Sequence, residues 1–179
     1  MKKSEIISLS MLIVIGVLVV ALIISHFLFS IYAIIFLGGG FNKPDYEDMQ
    51  KIFVRDEVQI KQIANFLAES DEEGIIIHDS TEKGMMFVYH EHGDVKIENS
   101  EIINAIEVLK NNGCRGIYKS GNTIEFQVWA TKDAGRGIAY TVDGATPEIE
   151  FLTDIRELPN ETSWFYYEDN YKKWRQMMD

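Results

Sequence analysis

Five side chains able to bind a metal or move a proton crowd one short stretch: His78, Asp79, His90, Glu91 and His92. Imidazole and carboxylate are the ligands that zinc takes, three or four at a time and within about 2.3 Å of the ion. The stretch reads as a hairpin of strands Ile75–Asp79 and Met85–His90. In it Ser80 faces Met85, Asp79 faces Met86 and His90 falls opposite Ile75. In that register His90 and His92 share a face, His78 takes the other, and Asp79 lies about 13 Å away at about 3.3 Å per residue. The metal candidates are therefore His90 and His92, two ligands short of a site, and no cofactor is implied.

Nucleophilic chemistry has less to work with. Cys114 follows Gly113 at a helix C-terminus, where the dipole raises a thiol's pKa. As a lone cysteine it can form neither a disulfide framework nor a cysteine zinc site. There is no G-x-S-x-G elbow, no Asp-rich calcium loop, and Gly135-Arg136-Gly137 lacks the Lys and following helix of a phosphate loop. No catalytic residue set emerges.

Aromatic residues carry the stronger binding signal. Strand residues Ile124, Phe126, Val128 and Ala130 alternate with Thr123, Glu125, Gln127, Trp129 and Thr131, one face core and the other wet. Trp129 then points to the wet face over Ala139, and either Trp164 and Tyr166 or Phe165 and Tyr167 face the same way. Trp129, Trp164 and Tyr166 are the candidate recognition patch for a protein, peptide or sugar. The competing expectation is that helices or the tail around Trp174 cover that face. Asn160-Glu161-Thr162 also fits the glycosylation pattern.

The elements that position these residues follow from periodicity. Asp56–Ser70 reads as a helix capped by Asp56, with Ile60, Ile63, Ala64 and Leu67 on one face. A second helix starts near Asn99 or Ser100, presents Ile102, Ile103, Ile106 and Leu109, and stops at Gly113. A turn at Ser120-Gly121 sets Ile117 opposite Ile124. A loop over 132–136 sets Phe126 opposite Val142, Val128 opposite Tyr140 and Ala130 opposite Ile138. Ile149–Leu152 and Trp164–Tyr167 add strands, and Tyr171, Trp174, Met177 and Met178 close the chain as a short helix. The fold class is α+β, two helices on a largely antiparallel sheet.

Ahead of this domain, Ile6 to Phe41 contain no Asp, Glu, Lys or Arg. A bilayer core needs about 20 apolar residues, and signal-peptide cores run to about 7–15, so this run reads as one retained transmembrane anchor. Gly38-Gly39-Gly40 offers small residues to a signal peptidase, but the run before it is too long. Residues 1–5 form a cytoplasmic head, 6–37 the anchor in the lipid bilayer, 38–44 a hinge and 45–179 the single α+β domain. His26 is the ionisable group inside the anchor, with no partner visible in the sequence.

Charge narrows the partners. The chain is at −11, and its first 43 residues hold Lys2, Lys3, Lys43 and Glu5, so the remainder is more acidic still. Such a domain repels nucleic acid and anionic lipid and admits basic proteins, cationic peptides or metal ions. The expected function is a membrane-anchored, non-enzymatic binding module with a protein or ligand partner. An acidic inhibitor or immunity-type protein against a basic partner is one alternative, and a metal-assisted hydrolase centred on His90 and His92 is another. Lys2 and Lys3 favour an outside domain, diluted by Lys43, Lys51 and Arg55. Protease added to intact cells should digest residues 45–179 while an intracellular control survives; protection until lysis would place the domain inside.

Overall fold

A computed structural model of the chain describes residues 20–27, 43–149 and 151–172. Residues 20–27 are helical and belong to a unit that ends at Asn42; a second unit begins at Lys43. Among the described residues no helix is long and apolar enough to cross a membrane, and most of the expected anchor lies outside them. Of the expected closing helix, only Tyr171 and Lys172 lie within them, and both are helical.

Helix α1 spans Tyr46–Ala68, ten residues longer at its start than periodicity from Asp56 suggests. Asp45 caps it: its side chain accepts the Asp48 amide at 3.0 Å while Asp48 accepts the Asp45 amide at 3.3 Å. That reciprocal pair satisfies two donors the first turn would leave orphaned. Asp56 is not a cap but an interior residue, 3% exposed, on the same face as Met49, Phe53, Ile60 and Ile63. It is tolerated there because Arg55 donates to it at 3.0 and 2.6 Å and Asn112 at 2.7 Å.

Strands β1 (Gly74–His78), β2 (Met85–Val88) and β3 (Gly93–Lys96) precede helix α2 (Ser100–Asn111). Asn99 caps α2 by accepting from the amides of Glu101 and Ile102, and Gly113 ends it at φ 101, as anticipated. Strands β4 (Gly116–Ser120), β5 (Thr123–Ala130), β6 (Gly135–Thr141), β7 (Leu152–Glu157) and β8 (Trp164–Asp169) follow. All eight strands form one antiparallel sheet in the order β3-β2-β1-β4-β5-β6-β8-β7. The α+β class holds, with β3 an addition that polar Gly93-Asp94-Val95-Lys96 does not announce.

Registers differ from expectation by even numbers, so most faces are kept. Ile75 pairs with Val88 rather than His90 because the β1–β2 connection is longer than a tight turn. Ile117 pairs with Phe126, because the β4–β5 turn is Gly121-Asn122 with Ser120 opposite Thr123. Phe126 pairs with Ile138, since Gly135-Arg136-Gly137 is strand and not loop. A bulge between Gln127 and Trp129 breaks the alternation there.

Both helices lie on one face of the sheet, where Ile63, Leu67, Ile106 and Leu109 bury against Ile75, Ile117, Phe126 and Ile138. The Phe53 and Trp164 rings sit 5.1 Å apart in this layer. Asp56 is the polar tie between the helices, because Arg55 also reaches the Asn112 carbonyl at 3.0 Å. Replacing it by Ala strands Asn112 and Arg55 and should cost about 2–4 kcal/mol in chemical denaturation. Asp45→Ala, a lost cap, should cost about 1 kcal/mol.

A polar groove on the uncovered sheet face

Side chains alternate across a strand, so the residues between core positions share the face opposite α1 and α2. A row in register runs across it: Gly116 pairs with Gln127, Gln127 with Gly137, and Gly137 with Tyr167. The glycines are there because neighbours occupy the space a Cβ would need. At Gly116 it would lie 2.6 Å from the Tyr118 ring, and at Gly137 2.8 Å from that of Tyr167. At Gly135 it would meet the Asp169 carboxylate at 2.8 Å and the Gln127 amide nitrogen at 3.0 Å. Three glycines thus let Tyr118, Tyr167 and Asp169 lean in around Gln127, whose Oε1 lies 3.5 Å from the Tyr118 hydroxyl.

The next row places Glu125 between Tyr118 and Ala139. Glu125 is half-buried, and among the described residues no Lys or Arg forms an ion pair with it. Burial, and secondly the charge of Asp169, push its carboxyl up to about 7 despite the opposing influence of the Tyr167 hydroxyl. That hydroxyl is fully buried and reaches no partner at ordinary hydrogen-bond geometry, though Glu125 is the neighbouring charge that acts on it most. Asp169 is better supplied, accepting the Gly135 amide and the Tyr171 hydroxyl, the latter at 2.7 Å. Burial nevertheless leaves its pKa above the usual carboxylate range. Above these groups opens a groove of about 630 Å³, bordered by Ile76 and Tyr89 on one side and by Glu148, Ile149 and Tyr171 on the other.

The earlier candidates lie elsewhere. Trp164 and Tyr166 are 4% and 2% exposed and pack under α1, Tyr166 in edge contact with Tyr46 at 5.7 Å. The bulge turns Trp129 to sit opposite Arg136, away from Ala139, with Lys43 5.9 Å over its ring. Of the expected patch, Trp164 and Tyr166 are thus buried under α1, while Trp129 stays half-exposed beside Lys43. Phe165 and Tyr167 face the other way instead.

His90 and His92 fall in the β2–β3 turn, beside a cleft lined also by Asp71, Glu72 and Glu73. Among the described residues no group of three or more His, Cys, Asp or Glu is arranged to hold a metal. His78 contacts its neighbour Asp79 at 2.5 Å. Cys114 is an inert thiol, pushed up to about 12 by burial.

Glu125, Gln127 and Asp169 escaped sequence reasoning as a site, although the first two were placed on the wet face. Their signal was the alignment of Gly116 and Gly137 on Gln127, which registers two residues off at β4–β5 and four off at β5–β6 conceal. Comparison with family models, with curated proteins and with solved structures finds no match to the chain.

Glu125 binds its proton more tightly folded than unfolded, so stability falls as pH rises from about 4.5 to about 7 and then levels. Glu125→Gln removes that fall. Its melting temperature should match the native chain near pH 4.5 and exceed it above pH 7, by the equivalent of about 2–3 kcal/mol. Parallel curves across that range would refute the burial of this carboxyl.

Proposed function

We propose that the chain is a single-pass, membrane-anchored, non-enzymatic binding module that captures a ligand in the groove on its uncovered sheet face, outside the cell. The observation that carries this reading is the groove itself, a recess about 630 Å³ in volume with polar groups converging on its floor. Ligand sites are typically recesses of about 300–1,000 Å³ that combine apolar walls with a few placed polar groups. The anchor rests on the uncharged run from Ile6 to Phe41. Within it, Leu22, Ile23 and Phe27 of the helical 20–27 stretch expose 69%, 63% and 66% of their surface, as lipid-facing side chains would.

A raised carboxyl in a cleft also suits a general acid. Paired-carboxylate hydrolysis, however, needs a second free carboxylate about 5–9.5 Å away. Asp169 is committed to the Gly135 amide and the Tyr171 hydroxyl, and Glu148, the other acid of the lining, is exposed in the β6–β7 connection with no hydrogen bond or ion pair among the described residues to orient it. Binding is therefore favoured over catalysis, and the metal-assisted alternative at His90 and His92 gains no third ligand among the described residues.

Ser120 is exposed on the groove wall and makes Ser120→Trp a plug. In a thermal-shift screen of small metabolites on the full chain in nanodiscs, a ligand at 100 times its Kd should add about 2.7 kcal/mol of stability. The Ser120→Trp variant, melting as the native chain does without ligand, should lose that shift. An equal shift in both would move binding away from the groove.

A further inference from the structure

The groove's own chemistry narrows its occupant. Glu125, Glu148 and Asp169 open on it together with the rings of Tyr89, Tyr118 and Tyr171. The one cationic residue of its lining, Lys119, is turned to the helix side, where its ammonium donates to the Ser70 carbonyl at 2.5 Å. No cation of the described lining therefore faces the Glu125 carboxylate, which gathers with the Gln127 amide and the hydroxyls of Tyr118 and Tyr167 about the glycine row. The Tyr167 hydroxyl, wholly buried and without a partner at ordinary hydrogen-bond geometry among the described residues, adds an unsatisfied polar group beside Glu125.

We propose that this groove binds an alkylammonium group, with the Glu125 carboxylate as counter-ion, Gln127 Oε1 as a second acceptor, and the Tyr118 and Tyr171 rings as walls. The inference rests on the binding reading above. An ammonium brings three donors on a compact head, which suits acceptors arriving from separate strands; a guanidinium wants one carboxylate presented flat to its fork. Tyrosine faces attract a cation and repel an anion. A free polyamine and a lysine side chain share this chemistry.

Binding is then linked to the charge of Glu125. The groups that face it are Tyr118 on β4, Tyr167 and Asp169 on β8, Tyr171 beyond β8, and Glu148 in the β6–β7 connection. Burial and the charge of Asp169 favour its proton, the Tyr167 hydroxyl opposes them, and a bound cation would favour its loss further. Since its carboxyl titrates at about 7, affinity for an ammonium should rise with pH through that value.

Isothermal titration of the full chain in phosphatidylcholine nanodiscs tests this with spermidine, the peptide Gly-Gly-Lys-Gly-Gly and uncharged 1,8-octanediol. One-site binding of spermidine or of the peptide is expected at pH 8, the tighter of the two naming the source. Affinity should fall about tenfold at pH 6, and at least tenfold in Glu125→Gln, while Glu98→Gln, altered at an exposed acid outside the groove, binds as the native chain does. Glu125→Gln binding spermidine as well as the native chain, or equal affinity at the two pH values, would overturn the proposal. Octanediol binding that matches spermidine and is lost in Ser120→Trp would overturn the ammonium while leaving the groove. No binding of any probe, with no shifted tyrosine resonance in the groove, would overturn both.

Discussion

Helices α1 and α2 cannot cover both faces of an eight-stranded sheet, and most of this domain follows from that shortage. Helices α1 and α2 bury one face under a continuous apolar layer. The other face is left, among the described residues, to side chains, loops and the helical start at Tyr171. At one end Phe165 and Tyr167 do this over Ala139, with Ile149, Leu152 and Ile155 packed against them. In the middle the closure is polar, and glycines at 116, 135 and 137 set its depth by letting larger neighbours lie flat over the backbone. A side chain at any of the three would push Tyr118, Asp169 or Tyr167 outward and fill the groove from below.

This way of closing a sheet is expensive. A carboxylate without a cation, a phenol without a partner and a second carboxylate above its ordinary pKa all sit on one face. Buried polar groups without partners cost stability unless something else supplies the bond. Elsewhere the fold shows that it can supply such bonds: Asp56, more deeply buried than Glu125, takes three hydrogen bonds from two residues. The contrast between these two acids is the physical case for function. One has its donors built in, and the other faces a recess open to a solute that could bring them.

How much of this was legible depends on which signals are local. Helix α2 was readable from end to end, because Asn99, the apolar face and Gly113 all act within a turn of their own position. The start of α1 was not, because Asp56 imitates a cap and its true role depends on Asn112, 56 residues away. Faces of β5 survived a register error of four residues, since any even slip preserves them. Trp129 did not survive, because a bulge at Gln127 reverses the alternation and nothing in the flanking residues marks it. The groove was the least legible feature. Its floor is defined by which glycine lies beside Gln127, and that is a question of register rather than of composition.

The end of β8 joins the groove to the start of the domain. Glu168 and Asp169 are consecutive and point to opposite faces. Glu168 accepts Lys43 at 2.7 Å and Arg136 at 2.5 Å, while Arg136 also reaches the Pro44 carbonyl at 2.5 Å. Burial alone would raise the pKa of Glu168, but the two cations outweigh it and hold it below the ordinary value. Lys43 and Pro44 are the first residues of this unit, so the chain is fastened to β8 where it enters. Asp169, one residue on, carries the groove's second carboxylate and grips Gly135 on the neighbouring strand. The groove's second carboxylate and the fastening of Lys43 therefore sit on adjacent residues of one strand.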